Sequence, residues 1–132
     1  MSILGRKISM KLVAALAVVM IVGALLPVMT DAPAREITLV ARGMAFYVDG
    51  DFDRSNPTLE VKASERVRIV VRNEERGMTH DFAVPAADAA TDLLNWNEQD
   101  EVIFDVPDKP GVYEYVCRPH ALMMRGTLRV IP

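Results

Sequence analysis

The sequence predicts an all-β protein: a Greek-key antiparallel β-sandwich with one short helix, preceded by an N-terminal hydrophobic segment. Three observations carry this. Between residues 36 and 131 there are seven or eight short runs that alternate polar and apolar or are rich in β-forming residues. Turn chemistry separates them, densest in D-G-D-F-D-R-S-N-P at residues 49–57 and D-K-P-G at 108–111. Only one stretch, residues 86–94, has helical composition, and it is too short for more than about two turns.

Residues 36–41 (E-I-T-L-V-A) alternate and read as the first strand, and 43–47 form a second short strand or a bulged continuation. After the turn, residues 58–62 resume the alternation. A tight A-S-E connection at 63–65 leads to 66–72, R-V-R-I-V-V-R. There Val67, Ile69 and Val71 face one side and the arginines with Val70 the other, the cleanest period-two segment of the chain. A polar loop at 73–77 precedes a strand at 79–84, which Pro85 stops. Residues 86–94 (A-A-D-A-A-T-D-L-L) read as the short helix or as a structured loop. Strands follow at 102–106, ended by Pro107, then at 112–117 and 126–131. Phe46, Phe82, Phe104 and Tyr115 fall on strand positions and are expected in the core. Trp96, in a polar stretch, either covers the end of the sandwich or lies exposed.

Residues 1–34 read as an address. Arg6, Lys7 and Lys11 precede an uncharged apolar run over residues 12–29, followed by T-D-A-P-A. Eighteen residues are enough to span a bilayer and exceed the usual signal-peptide core. The segment is therefore a signal peptide or an N-terminal membrane anchor that tethers the chain through residues 12–29. In both cases the positive-inside rule exports the remainder, to the periplasm or the extracytoplasmic face of the membrane, soluble or anchored. Residues 35–132 form one domain of ordinary size. Arg6, Lys7 and Lys11 are three of the 15 basic residues and Asp31 is one of the 18 acidic ones, so the domain carries 12 and 17, a net of −5. An acidic domain without a basic tract excludes nucleic acid as its partner.

The chemistry concentrates at residues 115–128, Y-V-C-R-P-H-A-L-M-M-R-G-T-L. The stretch holds the single cysteine, one of two histidines and two adjacent methionines. One cysteine in an exported domain can form no internal disulfide, so its thiol is either a small buried hydrophobe or chemically employed. A thiolate, an imidazole and a thioether on one short loop are soft donors that suit copper in a His₂Cys site with a long axial Met, given a second histidine. His80 is the one other histidine. The C-x₂-H spacing lets Cys117 and His120 reach one ion across a tight loop, which Pro119 stiffens. Zinc competes for Cys and His, but its structural sites draw a closed set of four. Here only three such donors exist, and the nearby fourth is a thioether. There is no H-x-H pair and no second cysteine for a multinuclear centre, and no motif assigns a nucleophile to either histidine. One mononuclear copper per chain is the reading left.

C-R-P-H followed by A-L-M-M-R-G-T-L resembles the copper loop of the cupredoxins, the small blue copper proteins that include azurin, plastocyanin and amicyanin. M-T-H-D is similar to the azurin strand that carries the first histidine ligand, and G-V-Y-E-Y-V-C to the family's strand approaching the cysteine. The resemblance covers residues 36–131. It implies a cupredoxin-like domain at 35–132, with His80, Cys117 and His120 as equatorial ligands. For the axial position, the register of M-R-G-T-L selects Met124, with Met123 the alternative on an amicyanin-like count. It further implies an electron carrier rather than an enzyme, cycling Cu(I) and Cu(II) outside the cytoplasm. A copper carriage or delivery module without redox turnover is the alternative. Redox partner proteins would dock near His120, Ala121 and Leu122, with Arg118 and Arg125 as a basic rim, and the chain would be monomeric. Asp81 stands where azurin-like proteins carry Asn, and Pro119 cannot donate an N–H to the sulfur. Both features favour Cu(II), so a reduction potential at the lower end for the class is expected.

Overall fold

The computed structural model describes residues 34–132, so the expected signal or anchor, with its apolar run at 12–29, lies outside the described residues apart from Ala34. The described chain forms nine strands: β1 (Arg35–Arg42), β2 (Ala45–Val48), β3 (Leu59–Lys62), β4 (Arg66–Asn73), β5 (Ala83–Val84), β6 (Ala89–Ala90), β7 (Gln99–Asp105), β8 (Gly111–Val116) and β9 (Arg125–Ile131). They make two sheets, one in the order β2-β1-β4-β7 and the other β3-β9-β8-β5-β6. The predicted sandwich is present. Most neighbours are antiparallel, but β1 pairs parallel with β4 and β3 pairs parallel with β9. The reason is the route of the chain. After β2 it leaves the first sheet to lay down β3 in the second, then returns for β4 beside β1, and such a crossover brings strands together in the same direction.

The alternation read from the sequence decides what each strand buries. Leu39 and Ala41 from β1, Val67, Ile69 and Val71 from β4, Leu59 and Val61 from β3, and Leu128 and Val130 from β9 all point into one core between the sheets. Val70, expected on the outer face, is also buried. Phe46, Phe82, Phe104 and Tyr115 are in the core as expected. Phe82 and Tyr115 stack at 5.3 Å, and Phe46 meets both rings edge-on at 5.7–5.8 Å. Such pairs contribute about 0.5–1.5 kcal/mol each beyond their burial. Trp96 lies half-exposed, with the Arg76 guanidinium over its ring at 4.1 Å.

The short helix expected at residues 86–94 is not an α-helix. Pro85–Ala87 form a single 3₁₀ turn, Asp88 takes a left-handed conformation, and β6 turns back on β5 with Ala83 opposite Ala90. The return continues past β6: Thr91 N donates to Phe82 O, and its hydroxyl accepts from Phe82 N. His80 and Leu94 then exchange backbone hydrogen bonds of 3.1 and 2.8 Å. Two turns of helix are marginal by themselves, so the pairing available from residues 80–84 overrides the alanine-rich composition. The strand expected at 79–84 is correspondingly shorter, with His80 held in an isolated bridge ahead of β5.

Candidate metal centre

Two strand ends and one loop converge at one end of the sandwich. His80 is two residues before Phe82, and Cys117 is two residues after Tyr115, so period-two geometry turns both toward the interior that the aromatic rings fill. His80 and Cys117 are fully buried. Beyond Cys117 the chain makes a 3₁₀ turn, Arg118–His120, started by Pro119. His120 N donates to Cys117 O, Met124 N to His120 O at 2.8 Å, and Cys117 N to Met124 O at 2.9 Å. The loop thus closes on its own backbone, and its first and last residues are paired. Asn56, in a left-handed turn, accepts from Phe46 N and donates its amide to Met123 O at 3.1 Å, fastening the loop to the rest of the domain.

The donor atoms meet. The Cys117 sulfur lies 3.7 Å from Nδ1 of His80 and 3.6 Å from Nδ1 of His120, and the three ligand atoms lie within 4.8 Å of one another. With metal–sulfur and metal–nitrogen bonds of about 2.3 and 2.0 Å, a trigonal arrangement sets sulfur and nitrogen about 3.7 Å apart. The observed spacing therefore fits three donors sharing one ion. Met124, adjacent in the same loop, is fully buried, whereas Met123 is 60 % exposed. Each of the three predicted equatorial residues is in the cluster, and the two candidate axial residues occupy opposite environments.

The electrostatics suit a site that holds a cation. Burial pushes the Cys117 thiol up, the nearby backbone N–H groups of Asp81 and His120 work in the other direction, and the Asp81 carboxylate adds to the rise. Burial lowers the pKa of His80, which keeps the imidazole neutral and ready to ligate; the Glu75 carboxylate works in the other direction. Asp81, fully buried, accepts from Arg118 N at 2.7 Å and from the Arg118 guanidinium, which also reaches Thr91 O. The carboxylate expected to add negative charge is paired with Arg118, yet its charge still acts on the Cys117 thiol in the expected direction. Arg118 and Arg125, expected as a basic rim, are both engaged: Arg125 pairs with Glu114 on the surface.

Glu75 is the residue the sequence reading missed. Its Oε2 lies 2.9 Å from Nε2 of His80 and accepts from Met44 N at 2.9 Å. Burial opposes its ionised form, yet the hydrogen bonds from Met44 and His80 prevail and hold its pKa below the usual carboxylate value. On the solvent side, Met44, Pro119, His120, Ala121, Leu122 and Met123 line a shallow cleft of about 410 Å³, with Leu122 almost wholly exposed.

Comparison with known proteins agrees with this geometry. The profile of the copper-binding proteins of the plastocyanin/azurin family matches residues 44–131. Auracyanin B is 25 % identical, with a TM-score of 0.63 over 79 % of this chain and 94 % of that one. Auracyanin A, a "blue" copper protein from the green thermophilic photosynthetic bacterium Chloroflexus aurantiacus, is 23 % identical, with a TM-score of 0.59 over 75 % of this chain and all of that one. Rusticyanin from Thiobacillus ferrooxidans is 23 % identical, with a TM-score of 0.56 over 76 % and 79 %. No curated protein sequence matches the chain.

Proposed function

Since the chain belongs to the plastocyanin/azurin family of copper-binding proteins and carries one type 1 copper site, we propose that it is an electron carrier working outside the cytoplasm. Bound copper would supply a one-electron couple between Cu(I) and Cu(II). His80, Cys117 and His120 would hold it, with Met124 as a fourth, softer donor. The observation that carries this reading is the placement of the three donor atoms on a scaffold that leaves them little freedom. His80 is fixed by the pairing with Leu94 and by Glu75, and Cys117 and His120 by the self-closed loop. Donors that cannot move much give similar surroundings to both oxidation states, which keeps the cost of each electron transfer low.

The two histidines divide the work. His80 is sealed inside, while His120 reaches the cleft and offers the route by which an electron leaves. Ala121, Leu122 and Met123 surround it with an apolar surface, with Arg118 at its edge, on which a redox partner protein can dock. Three donors converging on one point, with Met124 buried in the same loop, make a donor set that favours a carrier over an enzyme. Copper delivery without redox turnover is the competing role, and retention separates the two. The reduced, copper-loaded protein challenged with a Cu(I) chelator is expected to keep its metal and to reoxidise to the starting spectrum. Rapid surrender of Cu(I) to the chelator would favour delivery.

A further inference from the structure

We propose that Glu75 is a positioning residue of the metal centre, one that fixes the His80 ring and biases the site toward the oxidised metal. The proposal rests on the copper site described above. His80 is fully buried, so its Nε2–H has no water to turn to, and the contact the structure gives it is Oε2 of Glu75 at 2.9 Å. A carboxylate only accepts, so the ring proton resides on Nε2. Nδ1, facing the Cys117 sulfur at 3.7 Å, is left with its lone pair free.

Glu75 is itself held through both its backbone and its carboxylate. Glu75 N donates to Oδ1 of the buried Asn73, at 2.8 Å. The Asn73 amide in turn donates to Met78 O and Leu94 O, the two segments that flank His80. Glu75 Oε2 also accepts from Met44 N, and Met44 sits at a positive φ of 59° in the turn that follows Gly43. One oxygen therefore orients both a ligand ring and a residue lining the cleft beside His120.

Charge distinguishes Glu75 from its neighbour. Glu74 is neutralised by Arg42 and Arg72. Among the described residues, the only ion-pair contact of Glu75 is with His80. With its side chain only 20 % exposed, Glu75 places a largely unscreened negative charge directly behind a metal ligand. Such a charge stabilises Cu(II) more than Cu(I), and outer partners of ligating histidines typically change metal affinity by about 10–100-fold.

Glu75→Gln is the decisive variant, because its amide oxygen can still accept from both Met44 N and His80 Nε2 while the charge is gone. It is expected to lower the Cu(II)-to-Cu(I) affinity ratio about tenfold, a rise in midpoint potential of about 59 mV for a one-electron couple, with an unchanged melting temperature. Glu75→Ala is expected to release the ring as well. Imidazole ¹⁵N spectra of the metal-free protein should show the Nε2–H tautomer of His80 in wild type and in Glu75→Gln, and a mixture of tautomers in Glu75→Ala. An unaltered midpoint in Glu75→Gln, or a wild-type His80 protonated on Nδ1, overturns the proposal. The spectra of the metal-free protein judge the ring's orientation independently of the copper reading, whose own failure would show as absence of copper uptake by wild type.

Discussion

Met123 and Met124 are adjacent in sequence and opposite in circumstance. Met124 is fully buried, and its backbone bonds to both Cys117 and His120, whereas Met123 projects from the rim of the cleft. A conservative exchange tests the assignment without opening a cavity, since volume-conserving swaps cost less than about 1.5 kcal/mol. Met124→Leu is expected to change the visible spectrum of the copper protein and to raise its midpoint potential, because losing a donor weakens Cu(II) binding most. Met123→Leu is expected to leave both unchanged. The pair Asp81 and Arg118 makes a second point at this scale. Asp81→Asn keeps an oxygen to accept Arg118 N, so unfolding experiments are expected to show a loss of about 1–3 kcal/mol at most. Arg118→Ala removes the guanidinium partner of a buried carboxylate and is expected to cost more than Asp81→Asn, although the N–H at 118 still donates to Asp81.

Between elements, the contact of β8 with β9 explains one letter of the loop motif. Gly126 lies opposite Tyr115 across the ladder, and a Cβ at 126 would collide with the tyrosine ring. That ring is fully buried, stacked on Phe82 and tied by its hydroxyl to Pro57 O at 2.6 Å, so it cannot yield. Gly126→Ala is therefore expected to cost about 3 kcal/mol or more in thermal unfolding. Strand positions such as 66–72 and 126–131 were legible because alternation between a core and solvent is written in neighbouring side chains. Which strand pairs with which is not local, and the parallel pairs β1–β4 and β3–β9 left no mark on the sequence. Residues 86–94 misled for the same reason: alanine favours a helix, and the backbone partners at 80–83 that outbid it cannot be seen in composition. His80, Cys117 and His120 stood out because the chain has so few soft donors. Glu75 was hidden among 17 acidic residues of the domain, in a polar loop that reads as solvated. Asking which carboxylate could reach the second nitrogen of a candidate ligand is the question that would have found it.

At the scale of the whole domain, the sandwich provides a dry, aromatic floor and presents its chemistry at one end. The ligands come from three places in the chain: the segment before β5, the end of β8 and the loop leading to β9. No local segment can assemble the site alone, so copper binding reports on the complete fold and stabilises it by mass action. The end that holds the donors also carries the exposed Leu122 and Met123, the surface proposed above for a redox partner. The most direct test of an electron-carrying copper site on Cys117 is titration of the protein with Cu(II), followed by visible absorption through cycles of reduction and reoxidation. The account predicts an intense thiolate-to-copper band that saturates at one copper per chain, bleaches on reduction and returns in full over repeated cycles. A colourless or weakly absorbing copper complex, or a band that does not return, would contradict it.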